Sequence, residues 1–289
     1  MARQRSSPAP TGHTILVIDD NQDYLLAAER LLARCGHSVV AMSNPIEALE
    51  LLRKRTFDLV MVDFFMPEMT GEALITELRT WDPLVQVILQ TGYASEMPPR
   101  ELVRRLDIQG YYDKSEGPDK LLLWADVGLR GARTVRALRK ERDAQRILLA
   151  TAIDLRHARG PAELYPLVTA RLGSLLDLLA RFRPAEPNAE ERAPDFMWAR
   201  GPDPDRAEVL GATGKHEQTG TLRALPEQAS SNVRLSMEDH VARAGEWGAA
   251  IPLVTRGTVI GAIYLDGPGH DPSDLALIEA FAAQVAASL

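Results

Sequence analysis

The stretch FDLVMVDFFMPEMTG, residues 57–71, decides the fold of the first half of this chain. Its apolar run, residues 59–62, is typical of a short strand buried on both faces of a parallel sheet. The run ends at Asp63, at the carboxyl end of the strand, where open α/β sheets have their ligand crevices. Pro67 and Gly71 mark a loop before the next helix. Taken alone, the window fits a functional carboxylate and a simple cap or solvated loop residue about equally well.

Further strand patterns alternate with helical patterns over the first half of the chain. The additional strands are predicted at residues 14–18, 37–42, 85–90 and 110–114. Between them, apolar residues recur at helical spacing, as in residues 21–34. Strands that alternate with helices in this way predict one doubly wound α/β domain with a five-stranded parallel sheet.

Polar side chains stand at the tips of these predicted strands, and a parallel sheet brings such tips to one edge. The residues concerned are Asp19, Asp20, Asp63, Thr91 and Lys114. Three neighbouring carboxylates repel one another unless a hard divalent cation such as Mg²⁺ lies among them. A lysine and a threonine hydroxyl suit phosphoryl oxygens, and an aspartate can form an acyl phosphate. Each residue alone favours an unrelated cap or loop charge, whereas the five together favour a phosphoryl-transfer site.

These motifs resemble the receiver domain of two-component response regulators, which has a flavodoxin-like fold. The resemblance covers residues 13–130. VIDDN at 17–21 is similar to the acidic pair of that family, and VDFFMPEMTG at 62–71 to its phosphoacceptor loop. QTGYA at 90–94 is similar to its switch hydroxyl, and GYYDKS at 110–115 to its switch aromatic and lysine.

The resemblance implies that Asp63 accepts a phosphoryl group from a histidine kinase. It also implies a Mg²⁺ site made by Asp19, Asp20, Asp63 and the backbone carbonyl of Phe65. The family's phosphoryl chemistry needs the ammonium group of a lysine, which here is Lys114.

The resemblance further implies a switch, in which Thr91 turns toward the phosphoryl group and Tyr111 moves inward behind it. One residue departs from the family pattern, because Ser115 follows Lys114 where a proline is usual. A cis peptide bond costs a non-proline residue several kcal/mol, so the geometry of the 114–115 bond is left open by the sequence.

Composition narrows the classes of function. A net charge of −7 provides no electrostatic footprint for nucleic acid, and no apolar run approaches the length of a membrane span. Residues 1–12 contain no apolar stretch, so they predict a disordered tail and not a secretory signal. Cys35 is the single cysteine, which fits the reducing conditions of the cytoplasm. We therefore expect a cytoplasmic protein without nucleic-acid or membrane partners.

A long helix is predicted from residue 119 to about residue 159, because this range contains no proline. It comprises the last helix of the receiver domain and a helical linker over residues 131–159. The arginine-rich segment 130–142 is interpreted as a solvated helix face, since no recognition-helix motif follows it. Polar residues interrupt a strict heptad seam, so we expect a connector that dimerises weakly.

Residues 160–289 begin and end with amphipathic helices. Candidate strands occur at 196–199 and 209–212, and residues 249–254 and 258–265 predict an antiparallel hairpin. Gly261 within the second hairpin strand indicates close approach of another backbone or of a ligand. The segment 215–247 gives no clear pattern.

The end of the chain resembles a GAF domain, an α+β module with an antiparallel sheet. IPLVTRGTVIGAIYLDG at 251–267, followed by the DPSD helix, is similar to the last strands and terminal helix of that family. Members bind cyclic nucleotides, bilins, other small molecules or nothing. The bilin-attaching cysteine and the Asn-Lys-Phe-Asp-Glu motif are missing here, so the ligand is unknown and no pocket residues are assigned. The first and last helices of the family often pair across a dimer, which predicts a homodimer through the linker and GAF helices.

The main hypothesis is therefore a response regulator whose receiver domain acts through a helical linker on a GAF-like domain. No separate catalytic domain is expected, beyond the receiver's own phosphorylation and dephosphorylation. One alternative is a GAF sensor of small molecules whose receiver domain acts mainly as a docking module. A second alternative is a fragment of a hybrid histidine kinase.

Overall fold

The computed structural model describes residues 12–92, 99–182, 193–217, 222–268 and 270–289. Two compact units divide the chain between Leu138 and Arg139, and each unit contains a five-stranded sheet. The tail predicted at residues 1–12 lies outside the described residues except for Gly12, so its disorder stays a prediction. The domain boundaries of the sequence analysis also stay predictions. Among the described helices, none has both the length and the apolar content that a membrane-spanning segment requires.

The sheet of the first unit is parallel, with strand order β2-β1-β3-β4-β5. Its strands are β1 Thr14–Ile18, β2 Ser38–Met42, β3 Leu59–Asp63, β4 Gln86–Thr91 and β5 Gly110–Asp113. The helices are α1 Gln22–Arg34, α2 Pro45–Lys54, α3 Gly71–Arg79, α4 Pro99–Leu106 and α5 Pro118–His157. The predicted doubly wound, five-stranded parallel fold is confirmed.

Strand β3 occupies the middle of this sheet, and all five of its residues are buried. Val60 and Val62 pack into one apolar core, whereas Leu59 and Met61 pack into the core on the opposite face. This explains the continuous apolar run in the sequence, because successive side chains of a strand point to opposite faces. In the sheet, β1 lies between β2 and β3. The strand order therefore reverses at β1 and β3, which makes the carboxyl ends of these two strands a topological switch point.

Helix α5 is continuous over 40 residues, close to the range predicted from the sequence. In the first unit it buries Leu121, Ala125 and Leu129 against the sheet core. In the second unit its later residues Ala144 and Leu155 contribute to the core of that unit.

The sheet of the second unit is antiparallel, with strand order β7-β6-β10-β9-β8. Its strands are β6 Phe196–Arg200, β7 Glu208–Ala212, β8 Arg243–Gly245, β9 Gly248–Thr255 and β10 Thr258–Asp266. The helices are α6 Pro161–Arg181, α7 Glu227–Asp239 and α8 Pro272–Ser288. Residues of α6 and α8 share one apolar core with the sheet, and residues of α7 share the other. The predicted α+β domain with an antiparallel sheet is confirmed, and α7 and β8 lie in the segment 215–247 that gave no clear pattern.

Gly261 allows the backbones of β10 and β6 to come close together. A Cβ atom at this position would overlap the carbonyl group of Ala199 on the neighbouring strand, next to an irregularity in the β10–β9 register. The close approach indicated by the sequence is therefore to another backbone. Gly173 in α6 differs, because the one described atom within 4 Å of an added Cβ is Phe196 Cε1, at 3.9 Å.

We expect Gly261→Ala to lower the free energy of unfolding by about 1–3 kcal/mol, because strands β6 and β10 must separate to admit the methyl group. The matched variant Gly173→Ala should instead raise it by about 0.5–1 kcal/mol, since alanine is the better helix former. Urea denaturation of the full chain, followed by circular dichroism, measures both. Equal effects of the two substitutions would contradict this account of Gly261.

Candidate functional site

Three carboxylates meet at the carboxyl edge of the parallel sheet. Asp19, Asp20 and Asp63 each offer an oxygen atom, and these atoms all lie within 4.8 Å of one another. The pairing of Ile18 with Val62 places the residues that follow β1 and end β3 side by side. Asp19 is fully buried and Asp63 is 5% exposed, whereas Asp20 is exposed to solvent. The sheet topology therefore brings together the acidic residues that the sequence analysis had selected.

Lys114 joins this cluster from the end of β5. Its Nζ atom lies 2.5 Å from Asp19 Oδ2 and 2.7 Å from Asp63 Oδ1, and its side chain is 19% exposed. Lys114 begins a short 3₁₀ turn in which the Asp113 carboxylate accepts a hydrogen bond from the backbone N–H of Ser115 (2.8 Å). The described residues contain no cis peptide bond, so the bond between Lys114 and Ser115 is trans.

The cluster carries more negative charge than Lys114 compensates. Burial raises the pKa of Asp63, and the nearby charges of Asp19 and Asp20 raise it further, against the opposing hydrogen bond and charge of Lys114. Within the described part of the chain, Asp19 Oδ2 is buried and accepts no hydrogen bond of good geometry, although it forms an ion pair with Lys114. Such a set of hard oxygen donors, with charge left to neutralise, fits a divalent cation that prefers carboxylates.

The loop after β3 folds tightly against the cluster. The backbone N–H of Gly71 donates to the Phe64 carbonyl (2.9 Å), and a Cβ atom at Gly71 would overlap the carbonyl group of Asp63. Phe65 follows Asp63 by two residues in this loop, and its side chain is partly exposed. The assignment of its backbone carbonyl as a metal ligand stays a prediction.

The two predicted switch residues contact each other. Thr91 ends β4 and is buried, and Tyr111 lies on the adjacent strand β5. Burial raises the pKa of Tyr111, while a hydrogen bond between its hydroxyl and the Thr91 side chain opposes that rise. The last residues of the QTGYA motif, Tyr93 and Ala94, lie outside the described residues.

One residue that the sequence analysis did not assign also contacts the lysine. Lys114 Nζ lies 4.7 Å from the centroid of the Tyr24 ring, within the range of a cation–π interaction. Tyr24 belongs to the first turn of α1, five residues after Asp19. No sequence pattern marked this residue, because the contact depends on how α1 is rotated and on the lysine rotamer.

A second set of polar groups lies in the antiparallel unit, where the sequence analysis named no pocket residue. His216 is 6% exposed, and its Nε2 atom has no hydrogen-bond partner in the part of the chain that the structure describes. Burial lowers the pKa of His216, so the ring is neutral at pH 7. Its ring centroid lies 5.7 Å from that of Tyr264, whose hydroxyl lies 2.8 Å from the Trp247 carbonyl oxygen.

Replacing Asp63 by asparagine should raise the free energy of unfolding at neutral pH when divalent cations are removed. The pKa of Asp63 is higher in the folded chain than in the unfolded one. Ionisation of Asp63 therefore opposes folding as the pH rises from the unfolded-state pKa through the folded-state pKa. The advantage of Asp63→Asn should therefore vanish when the pH falls below about 4, the ordinary range of aspartate.

Chemical denaturation in EDTA at several pH values measures this difference. Asp107→Asn is the matched control, because Asp107 is exposed and asparagine tolerates its positive φ of 49°. The control should follow the wild type at each pH. A wild type more stable than Asp63→Asn at pH 7 would contradict the predicted electrostatic cost.

Comparisons with known proteins give two family matches. The model of the response regulator receiver domain matches residues 15–126, and that of the GAF domain matches residues 132–289. The chain is 37% identical over 81 residues to the transcriptional regulatory protein ZraR of Klebsiella oxytoca, covering 28% of this chain and 18% of that protein. It is 32% identical over 190 residues to the sensor histidine kinase GacS of Pseudomonas protegens, covering 61% of this chain and 20% of that protein.

Among solved structures, a signal receiver domain of an HD domain-containing protein from Pseudomonas fluorescens Pf-5 is similar. It shares 24% identity at a TM-score of 0.40, covering 46% of this chain and 98% of that one. The alignments span only 18% and 20% of the two curated relatives. A receiver domain followed by a GAF domain is the organisation of a phosphorylation-controlled signalling protein. The chain thus belongs to the GAF family, and it carries a response regulator receiver domain ahead of its GAF domain.

Proposed function

We propose that Asp63 accepts a phosphoryl group from a histidine kinase, and that the receiver domain signals this change through α5 to the GAF domain. The observation that carries the proposal is the position of the Lys114 ammonium, in contact with both Asp19 and Asp63 inside an acidic cluster. Asp19, Asp20, Asp63 and the Phe65 carbonyl would hold Mg²⁺. When bound, the ion would neutralise negative charge on the phosphoryl oxygens.

The chemistry is a displacement at phosphorus. A carboxylate oxygen of Asp63 forms the new bond to phosphorus, while the bond from phosphorus to the donor's histidine nitrogen breaks and that nitrogen keeps the electron pair. Asp63 must be ionised to act as the nucleophile, and the adjacent ammonium of Lys114 favours that form. In the product the same ammonium stabilises the phosphoryl oxygens, which carry more charge than the carboxylate did.

The switch follows from a competition for the Thr91 hydroxyl. In the present structure Thr91 bonds to Tyr111. A phosphoryl group on Asp63 offers Thr91 a charged acceptor, which forms a stronger hydrogen bond than the neutral phenol does. Tyr111 is then released to move inward, and β5, which carries it, leads directly into the turn before α5.

The proposed output is a change in helix pairing between two copies of the chain. Leu149 and Ile153 on α5 are large apolar residues that are 65% and 41% exposed, which supports a weak homodimer through this helix and the GAF helices. The net charge of −7 supports protein partners over nucleic acid. The proposed site of action is the cytoplasm.

Phosphorylation with radiolabelled acetyl phosphate and Mg²⁺ tests the proposal. Wild type and Asp107→Asn should incorporate label, whereas Asp63→Asn should incorporate none, because it lacks the nucleophilic oxygen. The control variant loses a carboxylate of the same domain at an exposed position. Equal incorporation by wild type and Asp63→Asn would refute the site.

A second candidate function, small-molecule sensing by the GAF domain, is favoured by the buried Nε2 atom of His216. A buried polar atom without a partner costs about 1–3 kcal/mol, and a ligand or a bound water that bonds to it would remove that cost.

Native and denaturing mass spectrometry of the purified full chain test this second function. If the GAF domain holds a ligand through His216, wild type should release a small molecule on denaturation and His216→Phe should release much less. If no ligand is held, the two proteins should give the same result, and His216→Phe should be the more stable because the unpaired atom is gone. The second outcome rejects sensing through His216.

A further inference from the structure

Among the residues that the structure describes, three neighbours of negative character surround the ammonium group of Lys114. Two are the carboxylates of Asp19 and Asp63, and the third is the face of the Tyr24 ring, 4.7 Å from Nζ to the ring centroid. The π-face of a tyrosine attracts a cation through its quadrupole, and the attraction strengthens where water is excluded. Lys114 is mostly shielded from water, so the ring contributes to the position of its charge.

Tyr24 is itself held in place by the acidic loop. The Asn21 side chain caps α1 by accepting a hydrogen bond from the backbone N–H of Tyr24 (3.0 Å). The backbone N–H of Asn21 donates to Asp19 Oδ1 (3.0 Å), so one carboxylate contacts Lys114 and also orients the cap. Burial raises the pKa of Tyr24, with Tyr112, Asp19 and Asp63 adding to the effect. The phenol therefore stays neutral and adds no negative charge to the acidic cluster.

Lys114 has room to move away from the acidic cluster. A cavity of about 480 Å³ adjoins Lys114 and Tyr24 and is bounded by α1 and the start of α5, where Leu31 and Pro118 form part of its wall. A lysine side chain has a flexible four-carbon stem and many rotamers, so this space offers it alternative positions. The carboxylates that now oppose such movement are also the proposed metal ligands and phosphoacceptor. If a cation and a phosphoryl group bind to these carboxylates, the carboxylates would attract the lysine less strongly. The contact between the lysine and the Tyr24 ring would remain.

We infer that Tyr24 is a positioning residue for phosphoryl transfer, whose ring keeps the Lys114 ammonium at the acidic cluster while Asp19 and Asp63 engage the cation and the phosphoryl group. This inference rests on the proposed function of Asp63. The ring acts through the lysine and does not touch the reacting atoms.

Two substitutions separate the ring from the hydroxyl. Tyr24→Leu removes the π-face but keeps an apolar side chain, and it should slow phosphorylation of the full chain by acetyl phosphate at saturating Mg²⁺ by about threefold to twentyfold. Tyr24→Phe keeps the ring and should remain within about twofold of wild type, since phenylalanine also attracts cations. A Tyr24→Leu rate equal to that of wild type would overturn the inference, and so would an equal loss in both variants.

A spectroscopic readout tests the contact without any phosphorylation. The method is NMR spectroscopy of protein labelled with ¹³C at the lysine ε-carbons. The chain has five lysines, so the signal of Lys114 can be assigned by its loss in Lys114→Arg. The Tyr24 ring should displace this signal by its ring current in wild type and in Tyr24→Phe, but not in Tyr24→Leu. An undisplaced signal in wild type would overturn the inference even if Tyr24→Leu did not fold. Absence of phosphorylation at Asp63 in wild type would instead refute the proposed function, while the displaced signal would still establish the contact.

Discussion

The compensation of two buried carboxylates by one lysine is the constraint on which the first unit depends. Asp19 and Asp63 are drawn together because β1 and β3 are adjacent parallel strands, and Lys114 reaches both from β5. Removing Lys114 would leave two buried carboxylates without a countercharge and would cost about 3–5 kcal/mol, which exceeds the effect of any single surface ion pair. The fold keeps this costly arrangement at the carboxyl edge of the sheet, where Asp20 is exposed to solvent. A site designed only for stability would hold apolar residues instead.

Much of the fold and part of the site follow from strand patterns in the sequence. The apolar run of β3 predicts a central parallel strand, and parallel strands must end at the same edge of the sheet, so Asp63 is expected near Asp19. That inference needs no side-chain detail. The trans geometry of the peptide bond between Lys114 and Ser115 is a backbone feature that the sequence left open. The roles of Thr91 and Tyr111 rest on family resemblance, and the structure adds the hydrogen bond that connects them.

Other features depend on geometry that no pattern encodes. Tyr24 looks like an ordinary apolar residue of α1, because its contact with Lys114 depends on the rotation of the helix and on the lysine rotamer. His216 lies in a segment without periodicity, and its structure explains why. Helix α7 begins without a side-chain cap and ends at His240 in a left-handed conformation, and β8 has only three residues. Short elements without caps leave little signal in a sequence.

Helix α5 contributes residues to both units, and charged contacts hold it within each of them. Within the first unit, Arg136 pairs with the partly buried Asp58, and Arg133 donates to His13 (3.0 Å). Within the second unit, Lys140 pairs with the buried Asp274 at the start of α8. Each unit therefore fixes α5 by charged contacts that are directional and costly to break from one side. Under the proposed function, a movement of α5 would have to exchange these ion pairs as well as its apolar contacts.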